Sequence, residues 1–205
     1  MARAGITRAR LAAVGAELAD ELGFERVTLA EVARRCGVQT PSLYSHVSGT
    51  GELREQVTLL ALEEMADRAA EAVAGLAGKA ALTGLANSYR DYAWQHPGRF
   101  TASAAAAGLD AETAAGSAGP RHARFTEAVL RGYTVDPESH VHAVRMLGST
   151  VRGFITLEMS GSFDHSSPPA AESWAQIIHG LDTLFRSWST APDEEPPPPR
   201  AEDPR

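Results

Sequence analysis

The chain has 205 residues, 43% hydrophobic and 22% charged, the balance of a globular protein able to bury a core without covalent staples. One cysteine, Cys36, excludes an intramolecular disulfide and leaves too few ligands for a cysteine-based zinc site. The net charge of −7 argues against a polyanion partner for the chain as a whole, but it is unevenly spread. Residues 1–47 carry six arginines against five acids, net +1, and the remainder thirteen basic residues against twenty-one acidic ones, net −8. Contact with nucleic acid is therefore expected only at the N-terminal end.

From Thr7 the apolar residues Leu11, Val14, Leu18 and Leu22 recur at helical spacing until Gly23. Glu17, Asp20 and Glu21 interrupt the run, so it is neither a signal-peptide core nor a membrane span, and a cytoplasmic location is expected. Thr28 and Glu31 have the spacing of a capping box for a second helix, which Gly37 ends. Thr40-Pro41, an N-cap followed by the residue best tolerated at the first helical position, predicts a third short helix to about Val47. After the turn Ser48–Gly51, a long helix is predicted from Glu52 to about Ala74, with Leu53, Val57, Leu60, Met65 and Ala69 in its stripe.

A further helix over Ala81–Gln95 stops before Pro97, the alanines of 101–107 predict a short one, and Gly108–Gly119 reads as a small-residue loop. Helices follow over Arg121–Tyr133, from Asp136-Pro137 to about Glu158, and over Ala171–Ser189. From Ala191 the Pro- and Glu-rich chain cannot build a core and is expected to be disordered. No segment alternates at period two, so the expected fold is all-α.

Two helices too short to be stable alone, joined by a tight turn at Gly37, form a helix-turn-helix. Val38–Val47 is then the element able to enter a major groove. Its polar residues Gln39, Thr40, Ser42, Ser45 and His46 suit base edges or phosphates, and Tyr44 can reach the backbone. Thr28 and Thr50 stand at helix N-termini, where free backbone N–H groups favour phosphate.

The block Thr28-Leu29-Ala30-Glu31-Val32-Ala33-Arg34-Arg35-Cys36-Gly37-Val38, continued by Thr40-Pro41-Ser42-Leu43-Tyr44-Ser45-His46-Val47, resembles the N-terminal domain of the TetR family of transcriptional regulators. The resemblance spans about residues 7–60, and the Leu-Tyr-x-His-Val ending with Pro41 is closest to the tetracycline-repressor branch. His96-Pro97-Gly98-Arg99-Phe100 and Gly153-Phe154-Ile155-Thr156-Leu157-Glu158 resemble a recurrent C-terminal domain type of the family. The resemblance implies a three-helix DNA-binding domain over 1–50 and a larger helical domain over 51–190 for ligand binding and dimerisation, with 191–205 as a tail. It implies a homodimer on a palindromic double-stranded DNA operator, most simply a repressor released by a small-molecule effector. Thr28, Gln39, Thr40, Pro41, Ser42, Tyr44, Ser45, His46 and Thr50 are the DNA-binding candidates. Most family members carry a phosphate-contacting lysine where this chain has Thr50, and the tetracycline-repressor branch has polar residues where it has Leu29 and Ala30, which implies modest affinity and a shallow salt dependence.

An effector pocket is expected among the middle helices, lined from Tyr89, Tyr92, Trp94, Phe100, Phe125, Met146, Met159 and Phe163, with Arg152 as a polar contact. That composition suits an apolar, even aromatic ligand rather than a sugar or phosphate. The wide apolar faces of the last two long helices, with Gly148, Ser149 and Gly153 allowing close approach, suit pairing with a second copy. No nucleophile–base, zinc, Walker or dinucleotide motif occurs, and His140 and His142 point apart on a helix, so neither enzyme nor metal nor cofactor is expected. The competing class is an interaction protein that kept this fold and lost sequence-specific DNA binding.

Overall fold

The computed structural model describes residues 6–188, in which every regular element is helical. Nine α-helices follow among these residues: α1 Arg8–Leu22, α2 Leu29–Cys36, α3 Thr50–Val73, α4 Gly78–Gln95, α5 Pro97–Ala104, α6 Ala111–Gly116, α7 Gly119–Leu130, α8 His140–Met159 and α9 Ala170–Arg186. The tail expected to be disordered lies outside the described residues.

Local chemistry sets the N-terminal boundaries. Thr7 Oγ1 accepts from the Arg10 amide at 3.2 Å and opens α1. Thr28 Oγ1 does the same for α2 from the Glu31 amide at 3.2 Å. The capping box is only half made, because the Glu31 carboxylate turns to Arg34 instead of reaching back. Gly37 ends α2 in the left-handed region at φ 68°, a conformation that a side chain would strain.

Four expectations about elements change. The third short helix is a 3-10 helix, Thr40–Ser45, capped by Gln39 rather than by Thr40. Pro41 supplies no amide, and the Ser42 and Ser45 hydroxyls donate to the carbonyls of Gln39 and Ser42 at 2.7 and 3.0 Å, which favours the tighter three-residue repeat. Leu43 and Val47 are buried as expected, since that spacing serves either helix type. The alanine-rich segment starts its helix at Pro97, four residues before the alanines suggested, and passes into a 3-10 turn over Ala105–Gly108. The predicted loop 108–119 contains α6, because Asp110 accepts from the amides of Glu112 and Thr113 and nucleates a turn. Asp136-Pro137 opens a 3-10 turn over Pro137–Ser139, and α8 begins only at His140.

Two large apolar clusters and a small one of Leu62, Ala66 and Ala118 make the core. Leu11, Leu18, Val27, Val32, Leu43, Val47, Leu53 and Val57 join α1, α2, the 3-10 helix and the first half of α3. Leu82, Leu85, Tyr92, Leu130, Leu147, Ile155 and Phe185 belong to the second, built from the later helices. Met65 and Ala69 carry α3 into that second cluster. Helix α5 touches both, with Ala102 in the first and Phe100 in the second.

The contact of α5 with α1 is backbone against backbone. A Cβ placed on Gly98 would lie 1.9 Å from the Ala19 carbonyl oxygen, so only glycine fits. That approach brings Asp20 onto the start of α5, where its Oδ1 accepts from the Arg99 amide at 2.9 Å. Its Oδ2 lies 3.0 Å from Arg99 Nε and 3.2 Å from His96 Nδ1. Arg99 also reaches Glu64 of α3 at 3.0 Å, and Thr58 of α3 donates to the Ala102 carbonyl at 3.2 Å. Gly98→Ala is expected to destabilise the fold by about 1–3 kcal/mol or more, because the clash is with main chain that cannot step aside. The loss is read as a lowered thermal unfolding midpoint.

Candidate nucleic-acid interface and buried cavity

The 3-10 helix and its flanks carry a polar outer edge on an apolar anchor. Leu43 is fully buried, while Gln39, Pro41, Ser42, Tyr44 and Ser45 are exposed, Tyr44 by 58%. Thr28, Thr40, His46 and Thr50 are half-buried at the margin of this face. The His46 carbonyl accepts from Arg8 Nε at 3.1 Å, and the Arg8 guanidinium goes on to Glu52 at 2.9 Å. Glu52 in turn accepts from the Ser48 amide at 2.7 Å, and that hydrogen bond holds its carboxyl below the usual range. Thr50 Oγ1 lies 3.5 Å from the Leu29 amide, so it bridges the N-termini of α2 and α3.

Most of the local arginines are already engaged. Arg34 pairs with Glu31, Arg35 with Glu21, and Arg54 with Glu25 and the Val27 carbonyl. These exposed pairs add little stability, but they hold guanidinium groups back from a polyanion. The face is thus polar and hydrogen-bonding rather than strongly basic.

A second feature is a cavity of about 280 Å³ enclosed by α3, α4, α5, α7 and α8. Leu62, Met65, Leu85, Leu147, Val151 and Ile155 give it apolar walls, and Phe100 closes one side. Its polar groups are Tyr89, His122, Thr126 and Arg152. His122 Nε2 lies 2.9 Å from the Leu62 carbonyl, which only a ring N–H can satisfy. Nδ1 is then free to accept from the Tyr89 hydroxyl at 2.7 Å. Burial pushes the His122 pKa down, so the ring is neutral, and burial raises that of Tyr89. Arg152 donates to Ser103 Oγ at 2.9 Å and stacks over Phe100 with 4.8 Å to the ring centre.

Two family descriptions match the chain: "Bacterial regulatory proteins, tetR family" over residues 11–57, and "Tetracyclin repressor-like, C-terminal domain" over residues 82–181. The chain belongs to the TetR family. It is 33% identical over 147 residues to the uncharacterized HTH-type transcriptional regulator Rv0681 of Mycobacterium tuberculosis, covering 71% of this chain and 66% of that protein. It is 28% identical over 162 residues to the uncharacterized HTH-type regulator YobS of Bacillus subtilis, covering 79% of this chain and 84% of the other. The fold is similar to that of SCO7222, a TetR transcriptional regulator from Streptomyces coelicolor, with a TM-score of 0.67 at 18% identity, covering 88% of this chain and 100% of that one.

This TetR chain brings together three of the nine residues expected at the pocket: Tyr89, Phe100 and Arg152. Tyr92 is wholly buried in the core and donates to Glu64 at 2.8 Å. Trp94 faces outward, 58% exposed, with its indole N–H 3.4 Å from Glu158. Phe163 packs on Phe154 at 5.0 Å beyond the far end of the cavity, and Met159 flanks the same cluster. Phe125 packs between two apolar clusters without entering the cavity lining, and Met146 is 38% exposed on α8. Aromatic type alone did not reveal which face of a helix each residue occupies.

Besides Thr126 and the aliphatic walls, sequence reasoning missed His122 in the lining. Its signal was present only as helical spacing, since His122, Thr126 and Val129 share a face of α7 that points inward. The depressed His122 pKa has a consequence for stability. Below the unfolded value of about 6.5 the unfolded chain takes up the proton first, so this contribution is lost as pH falls. Lowering the pH from about 7 to about 5 is expected to cost His122→Gln less of its thermal midpoint than it costs the unaltered chain. Melting curves of both proteins at the two pH values check it.

Proposed function

We propose that this TetR-family regulator is a homodimeric repressor that leaves a palindromic operator when a small apolar molecule occupies the cavity. On this reading residues 1–50 bind DNA, and residues 51–190 hold the effector and the dimer contact. The observation that carries the reading is the pairing of an outward polar edge with a buried Leu43 anchor on an element too short to exist for its own stability. Gln39, Ser42, Tyr44 and Ser45 are the residues best placed to reach base edges or phosphates. Thr28, Thr40, Pro41, His46 and Thr50 support the margin.

A single short element reads too few base pairs for useful specificity, which is the mechanistic reason for a dimer. Supporting it, α8 and α9 leave Val141, Met146, Leu157 and Leu184 exposed. Along the same helices Gly153 and Gly180 have open space where a side chain would stand. Those are the features of a face that a second copy could cover. Effector control then takes the form of a population shift. Helix α3 runs from the polar face to the cavity wall, so two packings of its C-terminal half hold the recognition elements of the dimer at two spacings. A ligand shifts them only by binding one packing more tightly.

Selection of bound duplexes from a genomic fragment library is expected to enrich a palindromic site whose affinity falls with salt at a shallow slope, given the engaged arginines. Tyr44→Ala is expected to weaken binding to that site roughly tenfold or more without changing the dimer seen by size-exclusion chromatography. Binding indifferent to sequence would favour the reading of an interaction protein that retained the fold.

A further inference from the structure

Among the described residues, the cavity wall carries a positive charge with no acid to answer it. By contrast, Arg90 pairs with Glu158, and Arg99 with Asp20 and Glu64. Arg152 has, among the described residues, one hydrogen bond, to the Ser103 hydroxyl, and one ring face, that of Phe100. A guanidinium offers five N–H donors in a planar fork. Both of its neighbours in the cavity are neutral, since burial disfavours the charged His122 ring and the Tyr89 phenol keeps its proton while donating a hydrogen bond to that ring. Placing an unanswered cation in such a wall is costly unless something supplies the opposite charge.

The geometry points to a ligand that does so. Resting on the reading of the chain as an effector-responsive regulator, we infer that the cavity takes a compact apolar monocarboxylate. Its carboxylate lies on the Arg152 fork and its hydrocarbon body against Phe100, Leu147, Val151 and Ile155. One guanidinium matches one planar carboxylate through two parallel hydrogen bonds. A phosphate dianion would need a second cation, and no other charged side chain lines the cavity among the described residues. The volume of about 280 Å³ lies just below the range for small-molecule sites, roughly 300–1,000 Å³, and so favours a small acid over a long-chain one.

The position of Arg152 also gives the acid a route to the rest of the molecule. Ser103 and Phe100 both belong to α5, the helix that meets α1 at Gly98 and Asp20. A carboxylate on Arg152 competes with Ser103 for its donors and alters the hold of α8 on α5. That is a differential contact of the kind a population shift requires.

The test is calorimetric titration of the full chain with benzoate and hexanoate against benzyl alcohol and 1-hexanol, their neutral counterparts. At least one acid is expected to bind roughly tenfold or more tightly than its alcohol. Arg152→Gln is expected to erase that preference while circular dichroism shows the helices intact. Equal binding of acid and alcohol, no binding of either acid, or a preference that survives in Arg152→Gln would overturn the inference. If Arg152→Gln does not fold, the acid–alcohol comparison in the unaltered chain decides. Operator binding of the unliganded chain is measured separately. Operator binding without acid binding sinks this inference alone, whereas acid binding without operator binding sinks the regulator reading and leaves the ligand assignment standing.

Discussion

The close approach of α5 to α1 is the constraint on which the arrangement of the other parts depends. At Gly98 the two main chains touch, and no side chain can stand between them. The approach puts Asp20 within reach of three groups at the start of α5: the Arg99 amide, the Arg99 guanidinium and the His96 ring. Glu64 takes the other side of Arg99 and the Tyr92 hydroxyl, which ties α3 and α4 to the same knot. Such partly buried ion pairs give back in Coulomb energy much of what they lose in desolvation, so their net stabilisation is small. Their effect is geometric. Each has a partner in only one arrangement of the four helices.

The segment His96-Pro97-Gly98-Arg99-Phe100 therefore acts as one device with a task for each residue. His96 and Arg99 hold Asp20, Pro97 starts α5, Gly98 admits the α1 backbone, and Phe100 turns the opposite way to wall the cavity. Because α5 contributes to both apolar clusters, a displacement at the cavity cannot be absorbed by one cluster alone. Close-packed interiors pass such displacements on as whole-helix shifts. The far wall is firmer. The Arg90–Glu158 pair joins α4 to α8, and the Trp174 indole donates to Asn87 at 2.8 Å and joins α9 to α4.

The polar face has a different economy of charge. Arg8, Arg34, Arg35 and Arg54 are each held by a carboxylate of the same N-terminal region, with Glu52, Glu31, Glu21 and Glu25 as partners. Thr50 is turned to the Leu29 amide. On the proposed reading, recognition by such a face would rest on short polar side chains and Tyr44 rather than on long-range attraction. Discrimination is then less sensitive to salt than in a strongly basic domain.

Much of the N-terminal third was legible because its signals are local. Thr7, Thr28, Gly23 and Gly37 state where α1 and α2 begin and end through hydrogen bonds and backbone angles that involve only their neighbours. The family, the all-α class and the outward edge from Gln39 to Ser45 were readable for the same reason. Less was readable where two local solutions share one pattern. Leu43 and Val47 suit a 3-10 or an α-helix alike, and Asp110 was outweighed by the glycines and alanines around it. The cavity was legible only in part, through Tyr89, Phe100 and Arg152, because its lining depends on which way each face turns once five helices have packed. Tyr89 and Tyr92 are three residues apart on α4, yet one lines the cavity and the other is sealed in core. Sequence alone determined the helical class and the caps and ends of α1 and α2, all set by interactions within a turn or two. Only the tertiary structure decided that Gly98 joins two helices, that His122 faces Tyr89, and that Arg152 stands without a carboxylate among the described residues, since each depends on chain distant in sequence.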